Sequence, residues 1–289
     1  MNELDILKKA LAISIEKDST EATASIAYSP YSAYIAPSIA SDTNFLSISS
    51  EQASLSLSVL QNDYAVNSIV TLVDINKVGL SPVIIKCIVD HTTRTDIPIA
   101  YKIINKQGKI LFEIGNVAKL VPFYTPPRIT LEKIKNSKLE TNIVNVKITN
   151  PLDLKKFALF GIDRNFPLYD NASGYGTAVS TKSGRVHFAG QYSKIGRSLG
   201  LHSEINALIS TISHNDLDIE YIGVVSTKYL DTPCDMCGIC RQLITEISAK
   251  LDISPTLYCF SKETDEYRQY KIEQYLPNAW TSKKWNNKK

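Results

Sequence analysis

The feature that most restricts what this chain can fold into is a repeated order of elements on either side of a connecting run at 125–150. Each flank offers a Tyr-containing loop, a strand-like run, an Xaa-Ser-Glu tripeptide placed to open a helix, an apolar strand and a closing Pro-containing element. The markers are Tyr28-Ser29-Pro30-Tyr31-Ser32, Ser49-Ser50-Glu51 and Leu120-Val121-Pro122-Phe123 in the first flank. In the second they are Tyr169-Asp170-Asn171, His202-Ser203-Glu204 and Leu276-Pro277-Asn278. Internal duplication is the simplest source of such agreement. Pro126 and Pro127 open the connecting run, which is rich in Lys, Asn, Glu and Thr. The expected division is a first domain over 1–128, a linker over 129–150 and a second domain over 151–289. A length of 289 residues with 44% hydrophobic content is enough for two cores.

In the second flank, 176–180 and 185–189 bracket Thr181-Lys182-Ser183-Gly184, which has the turn chemistry of a hairpin. Ile205, Leu208, Ile209 and Ile212 recur at helical spacing, as do Ile239, Leu243, Ile244 and Ile247. The runs 221–226 and 257–260 read as buried strands. Strands alternating with helices imply an α/β fold in which helices cover a mixed sheet.

Lys and Arg number 32 against 29 Asp and Glu, a balance that gives no electrostatic footprint for nucleic acid beyond a basic tail at Lys283, Lys284, Lys288 and Lys289. No run of roughly 20 uninterrupted apolar residues is present, and charges break up the first apolar positions, so neither a membrane span nor a signal peptide is expected and the default compartment is the cytosol. Of five cysteines, Cys234, Cys237 and Cys240 crowd into one short segment, with Cys87 and Cys259 apart. That pattern suits reduced thiols or metal ligands better than a disulfide framework.

A His followed two residues later by Glu, then Pro-Cys and a further Cys some thirty residues on, is a zinc deaminase signature. Here it reads His202-Ser203-Glu204 and Pro233-Cys234-Asp235-Met236-Cys237-Gly238-Ile239-Cys240. One imidazole and two thiolates leave the fourth tetrahedral position of zinc open for water, whereas a structural zinc usually takes four protein ligands and needs no adjacent carboxylate. Glu204 is then the proton carrier rather than a ligand. Thr232 as N-cap and Pro233 as first helical residue favour Cys234 as a ligand. The phase of Leu243, Ile244 and Ile247 favours Cys240, and Cys237 with Cys240 is marginally preferred over Cys234 with either. Arg241 is placed to donate to a ligating sulfur.

Taken together, the sequence resembles the cytidine deaminase family, in particular its two-domain bacterial and plant form. The resemblance rests on 169–171, the strand from Gly176 with Lys182-Ser183-Gly184-Arg185-Val186, Gly200-Leu201-His202-Ser203-Glu204, Cys240-Arg241-Gln242 and Leu276-Pro277-Asn278-Ala279-Trp280, with the first-flank markers given above. It implies two tandem three-layer α/β/α domains with mixed sheets, one Zn2+ per chain in the second domain, hydrolysis of cytidine or a related cytosine nucleoside to the uridine product and ammonia, and a homodimer. Ser203, Thr232, Tyr175 and Asn171 are the candidate substrate contacts. In the first domain Ser49 stands in place of the His ligand, and 81–86 places Val83 and Lys86 where cysteines would bind, so that half is expected to be a zinc-free packing partner. The Asn-x-Glu with which family members grip ribose is absent, Gln191-Tyr192-Ser193-Lys194 occupying its place. Lys194 and Arg197 are candidates to meet a phosphate or an acidic appendage.

Overall fold

The computed structural model describes residues 2–14, 22–43, 46–74, 80–124, 134, 138–169, 172–194, 200–277 and 279. Two mixed sheets organise them. The first contains β1 (Thr23–Tyr28), β2 (Ala33–Pro37), β3 (Ser68–Val73), β4 (Ala100–Asn105) and β5 (Ile110–Ile114), in the order β2-β1-β3-β4-β5. The second contains β6 (Ile143–Asn145), β7 (Tyr175–Thr181), β8 (Arg185–Gly190), β9 (Ile219–Ser226), β10 (Thr256–Phe260) and β11 (Tyr267–Lys271), in the order β11-β10-β9-β7-β8-β6. Apart from the added edge strand β6, the two sheets have one topology. Each starts with an antiparallel hairpin, adds an antiparallel third strand, pairs it in parallel with a fourth and ends antiparallel.

A parallel pair needs a crossover, and a helix supplies it in both sheets. These are α3 (Pro82–Thr95) between β3 and β4, and α6 (Gly238–Leu251) between β9 and β10. α2 (Ser50–Leu60) and α5 (Ser203–Ser213) follow the hairpins, α1 (Glu3–Ala12) and α4 (Pro151–Ile162) precede them, and α7 (Ile272–Tyr275) follows β11. Helix ends repeat as well: Asn62 and Asn215 after α2 and α5, and Asp96 and Asp252 after α3 and α6, all hold positive φ. Left-handed residues of this kind satisfy carbonyls that a helix end leaves open, and Asn and Asp tolerate the conformation best after Gly.

The α/β fold with helices on both faces of mixed sheets is as expected from sequence, but the cores are not divided as its length implied. α1 places Leu7 and Ala10 on Ala24, Ile26, Val70 and Leu72 of the first sheet. α4 places Leu154 and Ala158 on Ala178, Val186 and Phe188 of the second. Between the sheets a third core is continuous, running from Ile69 and Ile103 through Leu55 and Leu208 to Val224 and Leu257. α2 and α5 bury nearly every side chain, since each has a sheet on one side and helices on the other.

α4 lies unusually close to the strand ends that face the site. A Cβ on Gly176 would collide with the carbonyl of Ala158, and one on Gly190 with the backbone of Asn165. Glycine is required at both positions by close approach, not by turn geometry. No helix among the described residues is long and apolar enough to cross a membrane.

Candidate metal centre

α5 and α6 both point their N-termini at one spot. His202 is the N-cap of α5, Cys237 is the N-cap of α6, and Cys240 sits on the first turn of α6. His202 and Cys237 make no side-chain capping bond, so both side chains are free of helix-end duty. The His202 Nδ1 lies 3.4 Å from the Cys237 Sγ and 3.4 Å from the Cys240 Sγ, and the two sulfurs are 3.5 Å apart. Tetrahedral zinc with Zn–S near 2.3 Å and Zn–N near 2.0–2.1 Å sets sulfurs about 3.8 Å apart and sulfur from nitrogen about 3.6 Å. The triangle therefore has nearly the dimensions of one tetrahedral face, and these residues could hold a metal ion; among the described residues they form the one such group.

The surroundings fit thiolate ligands. The Cys237 thiol is held down to about 3, first by its hydrogen bond with Cys240 and then, against the effect of burial, by His202. Cys240 is pushed up, chiefly because it shares that hydrogen bond and then by burial. His202 is raised by its bond to Cys237. The positive ends of two helices add to the stabilisation of negative sulfur.

Glu204, one residue into α5, is buried, and burial raises its carboxyl above the ordinary range. Ser203 donates to its Oε2 at 3.1 Å and shares a 2.8 Å hydrogen bond with Thr177 of β7. His202, Cys237 and Glu204 line a cleft of about 230 Å3 together with Ser173, Tyr175, Gln191, Lys228 and Asp235. A larger cavity of about 530 Å3 lies at the other ends of α2 and α3, against Asp63, Tyr64 and Ile97, and contains none of the metal-binding set.

Several sequence expectations need correction. Cys234 is outside the triangle: its thiol contacts the Val224 carbonyl at 3.4 Å in the core, and burial raises it well above the ordinary thiol range. Thr232 and Pro233 do not start the helix, which begins five residues after Pro233 at Gly238, because 233–236 first turn inward to bury Cys234 and Met236. Thr232 is exposed and does not line the cleft, and Ser203 is fully buried behind Glu204. Arg241 does not donate to a sulfur; its Nε donates to the Met236 carbonyl at 2.8 Å and its guanidinium lies 4.3 Å over the Tyr275 ring. Lys194 is wholly buried against α3, where its ammonium meets the Cys87 carbonyl at 3.0 Å, so it cannot meet a substrate in the cleft. Tyr175 does line the cleft. Asn171 and Arg197 lie outside the described residues.

In the first half the positions equivalent to the ligands are not Val83 and Lys86. α3 and α6 have the same length and the same left-handed Asp at their ends, so the N-cap Ser81 corresponds to Cys237 and Ile84 to Cys240. Ser49 corresponds to His202 but uses its hydroxyl to cap Gln52 at 3.2 Å. Glu51 survives in place of Glu204, closed off by the hydroxyls of Thr71 at 2.9 Å and Tyr101 at 2.6 Å.

Sequence reasoning missed Lys228 and Asp235 as cleft residues and Tyr275 as a support. Tyr275 accepts from the Met236 amide at 2.9 Å and donates to Asp235 at 3.0 Å, fastening the cysteine loop to α7. Asp235, inside the cysteine motif and flanked by two buried residues, was the one detectable signal, because alternation turns it outward.

Fold and site thus define a class: a duplicated α/β protein with a His/Cys/Cys group that could hold a metal beside a buried carboxylate. No family model matches the sequence. Among solved structures the chain is similar to a cytidine deaminase from Burkholderia pseudomallei, at 22% identity and a TM-score of 0.40 over 45% of this chain and 98% of that one. It is also similar to a cytidine deaminase from Mycobacterium leprae, at 18% identity and a TM-score of 0.37 over 45% of this chain and 100% of that one. Likeness of this size fixes neither family nor activity.

Proposed function

We propose that the chain is a zinc-dependent hydrolase that removes the exocyclic amino group of a cytosine-type base in a small nucleoside-like substrate, releasing ammonia. The second half, 151–289, does the chemistry, and the first half, 1–128, is a packing partner whose equivalent site is closed. The observation that carries this reading is the His202, Cys237 and Cys240 triangle, two members of which line one cleft with Glu204. Two thiolates and an imidazole match zinc in donor type and in spacing.

Zinc bound there supplies a Lewis-acidic position at which water becomes nucleophilic near neutral pH. Glu204 would take one proton from the attacking water and pass it to the ring nitrogen, then take the second from the hydroxyl so added to the ring carbon and deliver it to the amino group, which leaves as ammonia. Ser203 keeps the carboxylate facing the cleft through its bond to Oε2. Tyr175 offers a ring against which a planar base can stack.

The test is a zinc assay paired with ammonia release from cytidine and related cytosine compounds. Glu204→Gln is expected to keep stoichiometric zinc and lose turnover by about 10²–10⁴-fold, the usual contribution of a positioned acid–base group. Undiminished turnover in that variant rejects the mechanism.

A further inference from the structure

Of the residues lining the cleft, one ammonium has no acidic partner among the described residues. Asp235 is engaged on both oxygens, Oδ2 accepting from Arg268 at 3.2 Å and Oδ1 from Tyr275 at 3.0 Å. Two thiolates would offset a divalent cation, and Glu204 is buried, away from the exposed Lys228. Lys228 remains, and among the described residues no acidic side chain pairs with its ammonium.

Its backbone is fixed. The Lys228 amide donates to the Ser226 hydroxyl at 3.2 Å, the Thr227 amide donates to the Gly174 carbonyl at 3.0 Å, and the Lys262 amide donates to the Tyr229 carbonyl at 2.8 Å. Lys228 is exposed where Glu204 is buried, so it stands at the mouth and Glu204 at the floor. A cleft of about 230 Å3 takes a base with its sugar and little more. A group carried beyond the sugar emerges at the mouth, beside Lys228, Gln191 and Ser173. An ammonium with a hydroxyl and a carboxamide nearby matches an anionic oxygen group better than a neutral one.

Resting on the deaminase reading above, the geometry points to a substrate that bears an anionic group, phosphate or carboxylate, on the substituent attached to the base, with Lys228 as the residue that selects it. Lys228 touches the part of the substrate remote from the reacting atoms, and the specificity it confers is a difference in binding.

The zinc-loaded full chain is assayed with cytidine, with cytidine 5′-monophosphate and with a cytosine whose N1 substituent ends in a carboxylate. At least one anionic compound is expected to exceed cytidine in kcat/KM by about tenfold or more, and the preferred one identifies the group. In Lys228→Gln that ratio collapses toward one, mainly through KM; in Lys228→Arg it is largely kept. Calorimetry on Glu204→Gln separates the two claims. Preferential binding of an anionic compound, lost when Lys228→Gln is added, supports the selectivity even if no compound is turned over and the deaminase reading fails. Turnover of cytidine with no preference for either anionic compound overturns the selectivity and leaves the deaminase reading standing, as does a ratio that Lys228→Gln leaves intact.

Discussion

Three positions separate Cys234 from Cys237, and their sulfurs meet opposite surroundings. The first lies against the Val224 carbonyl in the core; the second faces His202 at the tip of α6. Sequence spacing alone cannot tell these apart, because Cys234 with Cys237 and Cys237 with Cys240 are the same motif. Pro233 misleads for a physical reason: its fixed φ suits a first helical residue, yet it equally suits the turn that carries Cys234 inward. The geometry gives a direct contrast. Cys237→Ala is expected to lower zinc affinity by about 100-fold or more, since loss of a ligand should exceed the 10–100-fold typical of its hydrogen-bonded supports. Cys234→Ala should keep zinc and cost about 1–2 kcal/mol of stability for the space it leaves. Zinc titration against a chromogenic chelator and urea melts of both variants check the pair, and equal zinc loss in the two would place Cys234 in the ligand set.

At the scale of elements, α7 and the cysteine loop act as one piece. The Tyr275 hydroxyl joins the Met236 amide to Asp235, and its ring stacks on Tyr270 at 4.3 Å between centroids. Tyr275→Phe keeps the ring and removes the hydroxyl, so zinc affinity should fall about 10- to 100-fold with little change in fold; the same chelator titration, read beside an unchanged circular dichroism spectrum, decides it. A second fastening joins β8 to the end of α5. His187 bonds Ser210 at 2.9 Å and Asp216 at 3.0 Å, with Arg185 also on Asp216 at 3.0 Å and His214 nearby. The order Ser, His, Asp is that of a hydrolytic triad, but all three are buried and the set is a strut. Burial, opposed by Asp216, lowers His187 to about 4. The unfolded chain, with an ordinary His near 6.5, then binds this proton more readily than the folded one, so stability is complete above about pH 6.5 and declines as pH falls toward 4. Asp216, itself lowered, keeps contributing until lower pH. Melting temperatures across that window should fall in the wild type and fall less steeply in His187→Gln; parallel curves would remove His187 from the account. Hairpins, crossovers and helix starts at Ser50 and Ser203 are legible in sequence because turn residues and periodicity are local. These struts are not, because a His and an Asp far apart in the chain carry no local signature of meeting.

At the scale of the whole molecule, the two halves meet as related subunits would. Lys194 reaches Asp90 at 3.8 Å, and Arg94 of α3 donates to the Ser193 carbonyl. Across the molecule Lys250 of α6 donates to the Ala40 carbonyl at 2.7 Å, and Glu246 accepts from Ser41 at 2.6 Å and from the Asp42 amide at 2.8 Å. Asp90 and Arg94 occupy the turns of α3 that Glu246 and Lys250 occupy on α6, so each half lays its post-hairpin loop on the other's crossover helix, as in an isologous interface. The duplicated order is readable in the sequence; the shared core is not. Ser54, Ser56 and Ser58 of α2 are all buried, two of them bonding back to α2 carbonyls and Ser56 donating to Asn206 of α5 at 2.7 Å. Two domains with separate cores would melt in two steps. A continuous core, a buried ion pair and hydrogen bonds that cross between the halves couple them, so calorimetry on the full chain should give one transition with calorimetric and van't Hoff enthalpies that agree. Lys194→Ala removes one member of a buried pair and should lower that single transition by about 3–5 kcal/mol while keeping it single. A variant in which only one half melts early would show that the halves are independent and that the packing role given to the first is wrong.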